Sequence, residues 1–413
     1  MLNKSISVKD CRDILLKATN IDPNVNDVCY EVNLIDDSFG YIADLARLAI
    51  SVGEQNDEIS SKKFMFVAKL VPLDSNGEIR RSDLNWMFDR EAFMYSEILL
   101  KIKEAANWYP KCYLARENLL VLEDLNLSGF KHLVHRTRLD RPLVECVLRS
   151  VAAMHADSIA FEVKIHPKTV REVFGAYKAE FAITPEMKWF QMGLEAVKRI
   201  IPISRNYHRY SSKYSNKLFD ELVFPVYEMV KPSKKYRNVF CHQDLWAGNI
   251  MFKFQKTNGE DNLNEPISCV FMDFQFPRYL PPVADVLMFI LMSTRLENRR
   301  EYLMSYYKYY YDCLRMELEK QELNPDDVLT WHDFQSSCNE LKLFPLVFNC
   351  VALPFTFYPK DIQVKMKNCT DAEFQRVRDV GHYDFMLQYM KEDDEFKDVI
   401  LESIEELMEE LFD

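Results

Sequence analysis

His242, Asp244 and Asn249 stand in the pattern H-x-D-x-x-x-x-N within Val239-Phe240-Cys241-His242-Gln243-Asp244-Leu245-Trp246-Ala247-Gly248-Asn249-Ile250-Met251-Phe252. Apolar runs flank the motif on both sides. This spacing suits phosphoryl transfer. An Asp in such a loop can orient an attacking hydroxyl and take its proton, and an Asn further along can turn back to hold a metal ion on nucleotide phosphates. A second acid, Asp273, closes the apolar run Val270-Phe271-Met272 and opens Asp273-Phe274-Gln275. Its hard carboxylate oxygens suit Mg²⁺. Catalytic Asp, then Asn, then a metal Asp in D-F-x is the order found in kinases. Each motif alone has an ordinary reading. H-x-D recurs without meaning, and an Asp before Phe is commonly a cap or turn residue. The succession of the two, each behind an apolar run, favours chemistry.

Further candidates lie upstream. Lys69 ends Val67-Ala68-Lys69 inside an apolar run, where an unpaired ammonium is costly to bury. Kinases answer that cost with a Glu from the following helix, and the pair grips the α- and β-phosphates. Glu91 and Glu97 both fall in the next helical pattern; Glu91 is favoured because it shares a face with Phe88 and Tyr95. A strand-end surface lysine is the plain alternative. Leu122-Glu123-Asp124-Leu125 follows another apolar run and would lie along an adenine edge, with Glu123 and Leu125 as contacts. A turn after an edge strand reads equally well. The phosphate loop is the weakest part. Neither G-x-x-x-x-G-K-[ST] nor G-x-G-x-x-G occurs, which does not indicate a P-loop. The candidate is Ser38-Phe39-Gly40-Tyr41, with Gly40 and Tyr41 near the phosphates. A single glycine makes a stiffer loop that approaches them less closely.

Elements must bring these residues together. Ser7 can cap a helix carrying Cys11, Ile14 and Leu15. Residues 28–50 and 64–73 read as strands, and 86–103 as a helix with Met87, Phe88, Met94, Tyr95, Ile98 and Leu99. Strands follow near 112–114 and 119–122. From Leu143 the pattern turns helical, with strand-like pieces near 239–254 and 267–273. Residues 255–265, rich in Asn, Gly, Asp and Glu, read as an exposed hairpin loop. Strands with one helix, then a helical half, give an α+β chain with a bilobal, protein-kinase-like fold. The expected division is 1–125 for the small N-terminal sheet lobe and 126–413 for the helical C-terminal lobe. The last helical stripe, Phe396, Val399, Ile400, Ile404, Leu407, Met408 and Leu411, packs against the body or meets a partner.

Composition narrows the classes. The chain has 413 residues, 48% hydrophobic and 28% charged, with net charge −12. That charge argues against a nucleic-acid binder, which clusters Lys and Arg. No apolar stretch long enough for a membrane span is visible, and Met1 to Asp10 lacks a signal-peptide core. Ten cysteines without CxxC pairs read as reduced thiols, so a cytoplasmic protein is expected.

With these residues in place, the sequence resembles the ecdysteroid-kinase-like (CHK-kinase-like) family of arthropods, related to choline and aminoglycoside kinases. The resemblance covers roughly residues 28–390. It rests on Cys241-His242-Gln243-Asp244-Leu245-Trp246, Asn249-Ile250-Met251-Phe252 and Met272-Asp273-Phe274-Gln275, supported by Leu122 to Leu125, Met154-His155-Ala156, Phe88, Glu91 and Tyr95. Trp246 and the D-F-Q form set it apart from protein kinases. Gln243 and Ser38 stand where relatives tend to carry Gly. The resemblance implies ATP and Mg²⁺ as cofactors and a small-molecule alcohol, steroid-like for the name-giving members, as acceptor. It implies that Asp285 steadies the catalytic loop, although an N-cap would look the same, and that His242 holds the loop rather than moving protons. A monomer without a membrane span or nucleic-acid partner is expected. The helical half, with Phe181, Trp189, Phe190, Trp331, Phe334, Phe344, Phe348, Phe355 and Phe357, would build the acceptor pocket, though aromatic helices are mostly core. These rings suit a flat alcohol or a quaternary ammonium. A choline- or aminoglycoside-type kinase is therefore the first rival, and a pseudokinase that binds without transfer is the second.

Overall fold

The computed structural model describes residues 6–20, 28–35, 43–53, 62–73, 78–104, 106–175, 183–379 and 382–413. It is α+β, with an antiparallel sheet near the N-terminus and a larger helical part after it. Two compact units are present. The first comprises Met1–Lys131 with Val270–Gln275, and the second comprises the rest.

In the first unit, β1 (Val28–Leu34), β2 (Asp44–Val52), β3 (Lys62–Leu70), β4 (Cys112–Arg116) and β5 (Leu119–Glu123) form a five-stranded sheet in the order β1-β2-β3-β5-β4. Period-two patterning decides its faces. Ala46, Leu48 and Ile50 of β2, Phe66, Ala68 and Leu70 of β3, and Leu119 and Val121 of β5 form one buried layer. Helix α1 (Val8–Thr19) covers that layer with Cys11, Ile14 and Leu15. Ser7 caps it in a reciprocal capping box with Asp10, an arrangement that stabilises a helix start by about 1 kcal/mol. Leu120 and Leu122 are buried as well, so β5 is apolar on both faces. That leaves Lys69 on the opposite face of β3 from α1, between Leu45 and Leu120.

The predicted helix over 86–103 is three pieces. Helix α2 (Asn85–Phe93) passes through one π turn (Met94–Ile98) into α3 (Leu99–Lys103).

In the second unit, α4 (Arg141–Ile165) packs along α7 (Leu296–Lys320). Helix α6 (Val283–Ser293) is buried at every position, as a mostly apolar helix must be, and that burial includes Asp285 and Ser293. Also here are α5 (Lys188–Ile200), α8 (Trp331–Leu341), α9 (Leu343–Phe357) and α10 (Asp394–Phe412). The apolar stripe of α10 is buried from Phe396 to Met408 and packs against α9, with Leu411 at its end partly exposed. Its acids reach α7 and the residue before it: Glu402 binds Arg295, Glu406 binds Arg299 and Glu409 binds Arg300. Packing against the body is therefore what this helix does.

Strand β6 (Val239–Cys241) pairs antiparallel with β9 (Arg278–Leu280), and β7 (Ile250–Thr257) pairs with β8 (Glu260–Phe271). The expected loop over 255–265 is instead mostly strand. Asn258 (φ 55°) and Gly259 (φ 87°) alone make the turn, the positive-φ pair that a two-residue hairpin requires. Among the described residues no single helix is long and apolar enough to cross a membrane, and only the bent pair Trp331–Leu341 plus Leu343–Phe357 meets the length and composition test. All ten cysteines are free thiols.

Candidate active site

Two local clusters carry the candidate chemistry. In the first unit, central strand β3 delivers Lys69 and α2 delivers Glu91. Lys69 Nζ lies 2.6 Å from Glu91 Oε2 and 2.6 Å from Asp273 Oδ1. The Lys69 side chain is 11% exposed and that of Glu91 only 1%, so this is an ammonium clamped by two carboxylates away from bulk water. Burial alone would lower the Lys69 pKa; Asp273 and Glu91 together overcome it and keep the group protonated. Burial pushes the Glu91 carboxyl up, against the pull of Lys69. Glu97, the alternative, sits in the π turn and pairs with Lys101 at the surface.

The D-F-Q segment is held by contacts that the motif does not advertise. Asp273 adopts φ 67°, a left-handed conformation that Asp tolerates better than most residues. Phe274 is fully buried, edge-on to Tyr95 at 5.8 Å and against Trp108 at 6.0 Å. Phe271 N donates to the Trp108 carbonyl at 2.8 Å. Gln275 reaches Glu91 with its side chain. The π turn widens the helix by one residue just where Tyr95 meets Phe274, a departure often found at functional sites. Trp108, Tyr95 and Gln275 thus join the site's support. The sequence pointed to Tyr95 and Gln275 through the helical pattern and the D-F-Q motif, but carried no signal for Trp108, whose contacts with Phe274 and Phe271 come from distant chain.

Glu123 accepts from Lys111 N through Oε1 at 2.9 Å and donates its own N–H to the Lys111 carbonyl. Asp124 caps a short 3-10 turn that begins with buried Leu125, whose carbonyl accepts from Phe130 N. These residues form a turn after β5, which is an interior strand of the sheet rather than an edge. Ser38, Phe39, Gly40 and Tyr41 lie outside the described residues, as does Phe181.

In the second unit, β6 leads into the loop that carries His242, Asp244 and Asn249, and β7 receives it. Asn249 closes a 3-10 turn (Ala247–Asn249), and its Nδ2 donates to the Asp244 carbonyl at 2.9 Å and to Asp244 Oδ2 at 2.8 Å. His242 Nδ1 accepts from Asp244 N at 3.2 Å. Trp246 folds over Gly248 so closely that a Cβ there would lie 2.2 Å from the ring.

Asp285 is fully buried in the first turn of α6. It is not the N-cap, which is Pro282. Its carboxylate accepts instead from His242 N (2.6 Å), Gln243 N (2.8 Å), Gln243 Nε2 (2.9 Å) and His155 Nε2 (3.3 Å). Burial would raise its pKa; the donors, led by His155, reverse that and hold it below the usual carboxylate range. Gln243 has φ 63°. That explains why Gly suits the position, and the bond to Asp285 offsets the strain.

Asn249 commits Nδ2 to Asp244 and keeps Oδ1 as an oxygen of the kind a hard cation takes; in the first unit, Asp273 separately offers carboxylate oxygens of that kind.

The model of the ecdysteroid kinase-like family matches residues 39–323. Solved structures with similarity include an ethanolamine kinase of Plasmodium vivax, at 13% identity over 86% of this chain and 85% of that one, with a TM-score of 0.43. Another, from Ralstonia eutropha, is described provisionally as an aminoglycoside phosphotransferase; it shows 11% identity over 97% and 98% of the two chains, with a TM-score of 0.40. No curated protein sequence matches the chain.

Proposed function

The chain belongs to the ecdysteroid kinase-like family, a phosphotransferase acting on a small-molecule hydroxyl, and from that premise we propose that it moves the γ-phosphoryl group of ATP to a lipophilic alcohol of the ecdysteroid type. The observation that carries the mechanism is the buried Lys69 clamped by Glu91 and Asp273. A lysine so placed is a fixed positive charge for the α- and β-phosphates, with Glu91 bracing it from the buried side. Asn249 and Asp273 would hold Mg²⁺, which neutralises charge on the phosphate oxygens when bound. Asp244, oriented by Asn249 and by the backbone bond to His242, orients the acceptor hydroxyl and takes its proton. Most of the rate would come from positioning and charge stabilisation. The N-terminal unit would serve the nucleotide and the helical unit the acceptor.

The acceptor class is supported by the aromatic residues of the second unit. Phe190, Phe334, Phe344 and Phe357 are core. Trp189, only half-buried, meets Phe348 at 6.0 Å and Phe355 at 6.1 Å, and both of those rings are also partly exposed. Such a group offers a flat apolar surface to a steroid-like alcohol.

The test is ATP consumption with Mg²⁺ against ecdysteroids, other lipophilic alcohols, choline, ethanolamine and aminoglycosides, read together with a mass gain of one phosphate on the acceptor. A phosphorylated ecdysteroid is expected. Phosphate on choline or an aminoglycoside alone would replace the acceptor assignment, and failure to bind Mg-ATP at millimolar concentration would favour a non-catalytic binder. Asp273→Ala is expected to abolish turnover while leaving the circular dichroism unchanged. Turnover equal to the parent would remove Asp273 from the metal site.

A further inference from the structure

His155, Cys241 and Asp285 lie buried in the second unit with their ligand atoms within 4.8 Å of one another, a grouping that invites a metal reading. Their bonds argue otherwise. Asp285 already accepts from two backbone N–H groups and two side chains. Burial pushes the Cys241 thiol well up, so it stays protonated, and it donates to the Leu280 carbonyl. The cluster is a hydrogen-bonded support, and its direction can be read.

A neutral imidazole has one donor and one acceptor nitrogen. Asp285 is acceptor-only as a carboxylate, so His155 Nε2 must carry the proton to bind it. Nδ1 is then a lone pair in a dry site and needs a donor. Tyr310 Oη, on α7, supplies it at 2.7 Å. Burial raises the Tyr310 pKa well above normal, so the phenol keeps its proton. Tyr310, His155 and Asp285 are all 0% exposed, so no bulk water substitutes for any of them. The Tyr310 ring is itself fixed, 5.2 Å from Phe334 and edge-on to His155 at 5.7 Å.

We infer that Tyr310 is a positioning residue for phosphoryl transfer: by donating to Nδ1 it fixes the His155 tautomer, which aims Nε2–H at Asp285, and Asp285 in turn fixes His242 and Gln243 next to the base Asp244. The inference rests on the transfer reading above. Without the Tyr310 hydroxyl, the imidazole is free to carry its proton on Nδ1. Nε2 then presents a lone pair to a carboxylate, and one of the two must turn away. The backbone bonds at 242 and 243 share that carboxylate, so the shift reaches Asp244. Small displacements of catalytic groups can cost about a hundredfold in rate.

The test uses the chain with ¹⁵N-labelled histidine, together with Tyr310→Phe and, as a control, Tyr307→Phe, a buried tyrosine of the same helix whose ring also meets Phe334 but which has no hydrogen bond to this network. In the parent protein, the His155 nitrogen signals should show Nε2 protonated and Nδ1 bare. Tyr310→Phe should lower kcat by about ten- to a hundredfold with the KM for ATP within about twofold, and should lose the single-tautomer signature. Tyr307→Phe should change neither. Nδ1–H or a doubly protonated ring in the parent overturns the inference, and that measurement needs no variant to fold. So does a Tyr310→Phe protein with unchanged kcat, or one whose loss of kcat comes with an unchanged tautomer. A parent that transfers no phosphate to any acceptor would sink the transfer reading and the positioning role with it, while the nitrogen spectra would still judge the Tyr310–His155 bond separately.

Discussion

A methyl group on Gly248 would lie 2.2 Å from the Trp246 ring, and nothing in the backbone angle explains the glycine. The constraint is steric. Gly248→Ala should force Trp246 outward, destabilising the protein by about 1–3 kcal/mol and lowering turnover through Asn249, the next residue. A denaturant midpoint equal to the parent's would show that the ring moves freely. Gln243 presents the opposite case, where the backbone angle is the issue. A left-handed conformation costs a non-glycine residue about 1 kcal/mol, and the Nε2 bond to Asp285 opposes that cost. Gln243→Ala keeps the strain and loses the bond. Gln243→Gly loses both. The glycine variant should therefore be the more stable of the two by about 1 kcal/mol in urea unfolding; the reverse order would mean that the loop relaxes. The sequence showed both residues within the H-x-D loop, but not these reasons. The folding of the Trp246 ring over Gly248 and the bond to position 285 are visible only in three dimensions.

Elements show the same mixture. The alternation in β2 and β3, and the Ser7-to-Asp10 capping pattern, are written locally, and the sheet and α1 follow from them. The π turn at 94–98 is not. It keeps helical spacing on either side and lies where Tyr95 meets Phe274, a residue far along the chain. Strand β9 is too short to stand out, because its pairing with β6 supplies its definition. The hairpin at 255–265 was legible, but its tight turn at 258–259 was not, because the polar residues around it belong to exposed strands rather than to a loop. The clamp between α7 and α10 is testable at this scale. Arg299 is 3% exposed, binds Glu406 through Nε and Nη2, and binds the Thr294 carbonyl through Nη1 at 2.6 Å. Arg299→Met leaves Glu406 half-enclosed without its partner and should cost roughly 3 kcal/mol. Adding Glu406→Met should recover part of that loss, since apolar pairs replace buried ion pairs well. A double variant weaker than Arg299→Met alone would show that Glu406 acts through another contact.

For the whole molecule, the N-terminal unit is not a continuous stretch of chain. It is completed by Val270–Gln275, which bring Asp273 to Lys69 and Phe274 to Tyr95 and Trp108. A fragment of residues 1–131 should therefore unfold at lower urea than the same residues in the full chain, with Trp108 emission shifted to longer wavelength. A fragment as resistant as the parent would show that the six-residue segment adds nothing to stability. The same discontinuity sets a clock on biosynthesis. Lys69 and Asp273 are separated by 204 positions. While a ribosome is still translating the helical half, the ammonium has one carboxylate and the aromatic socket is empty. The closure entropy of so long a loop grows only slowly with length, so the equilibrium penalty is modest. The delay is the larger burden: a nascent sheet with an unfilled apolar hollow must wait, guarded or exposed to aggregation, until its last strand-end emerges.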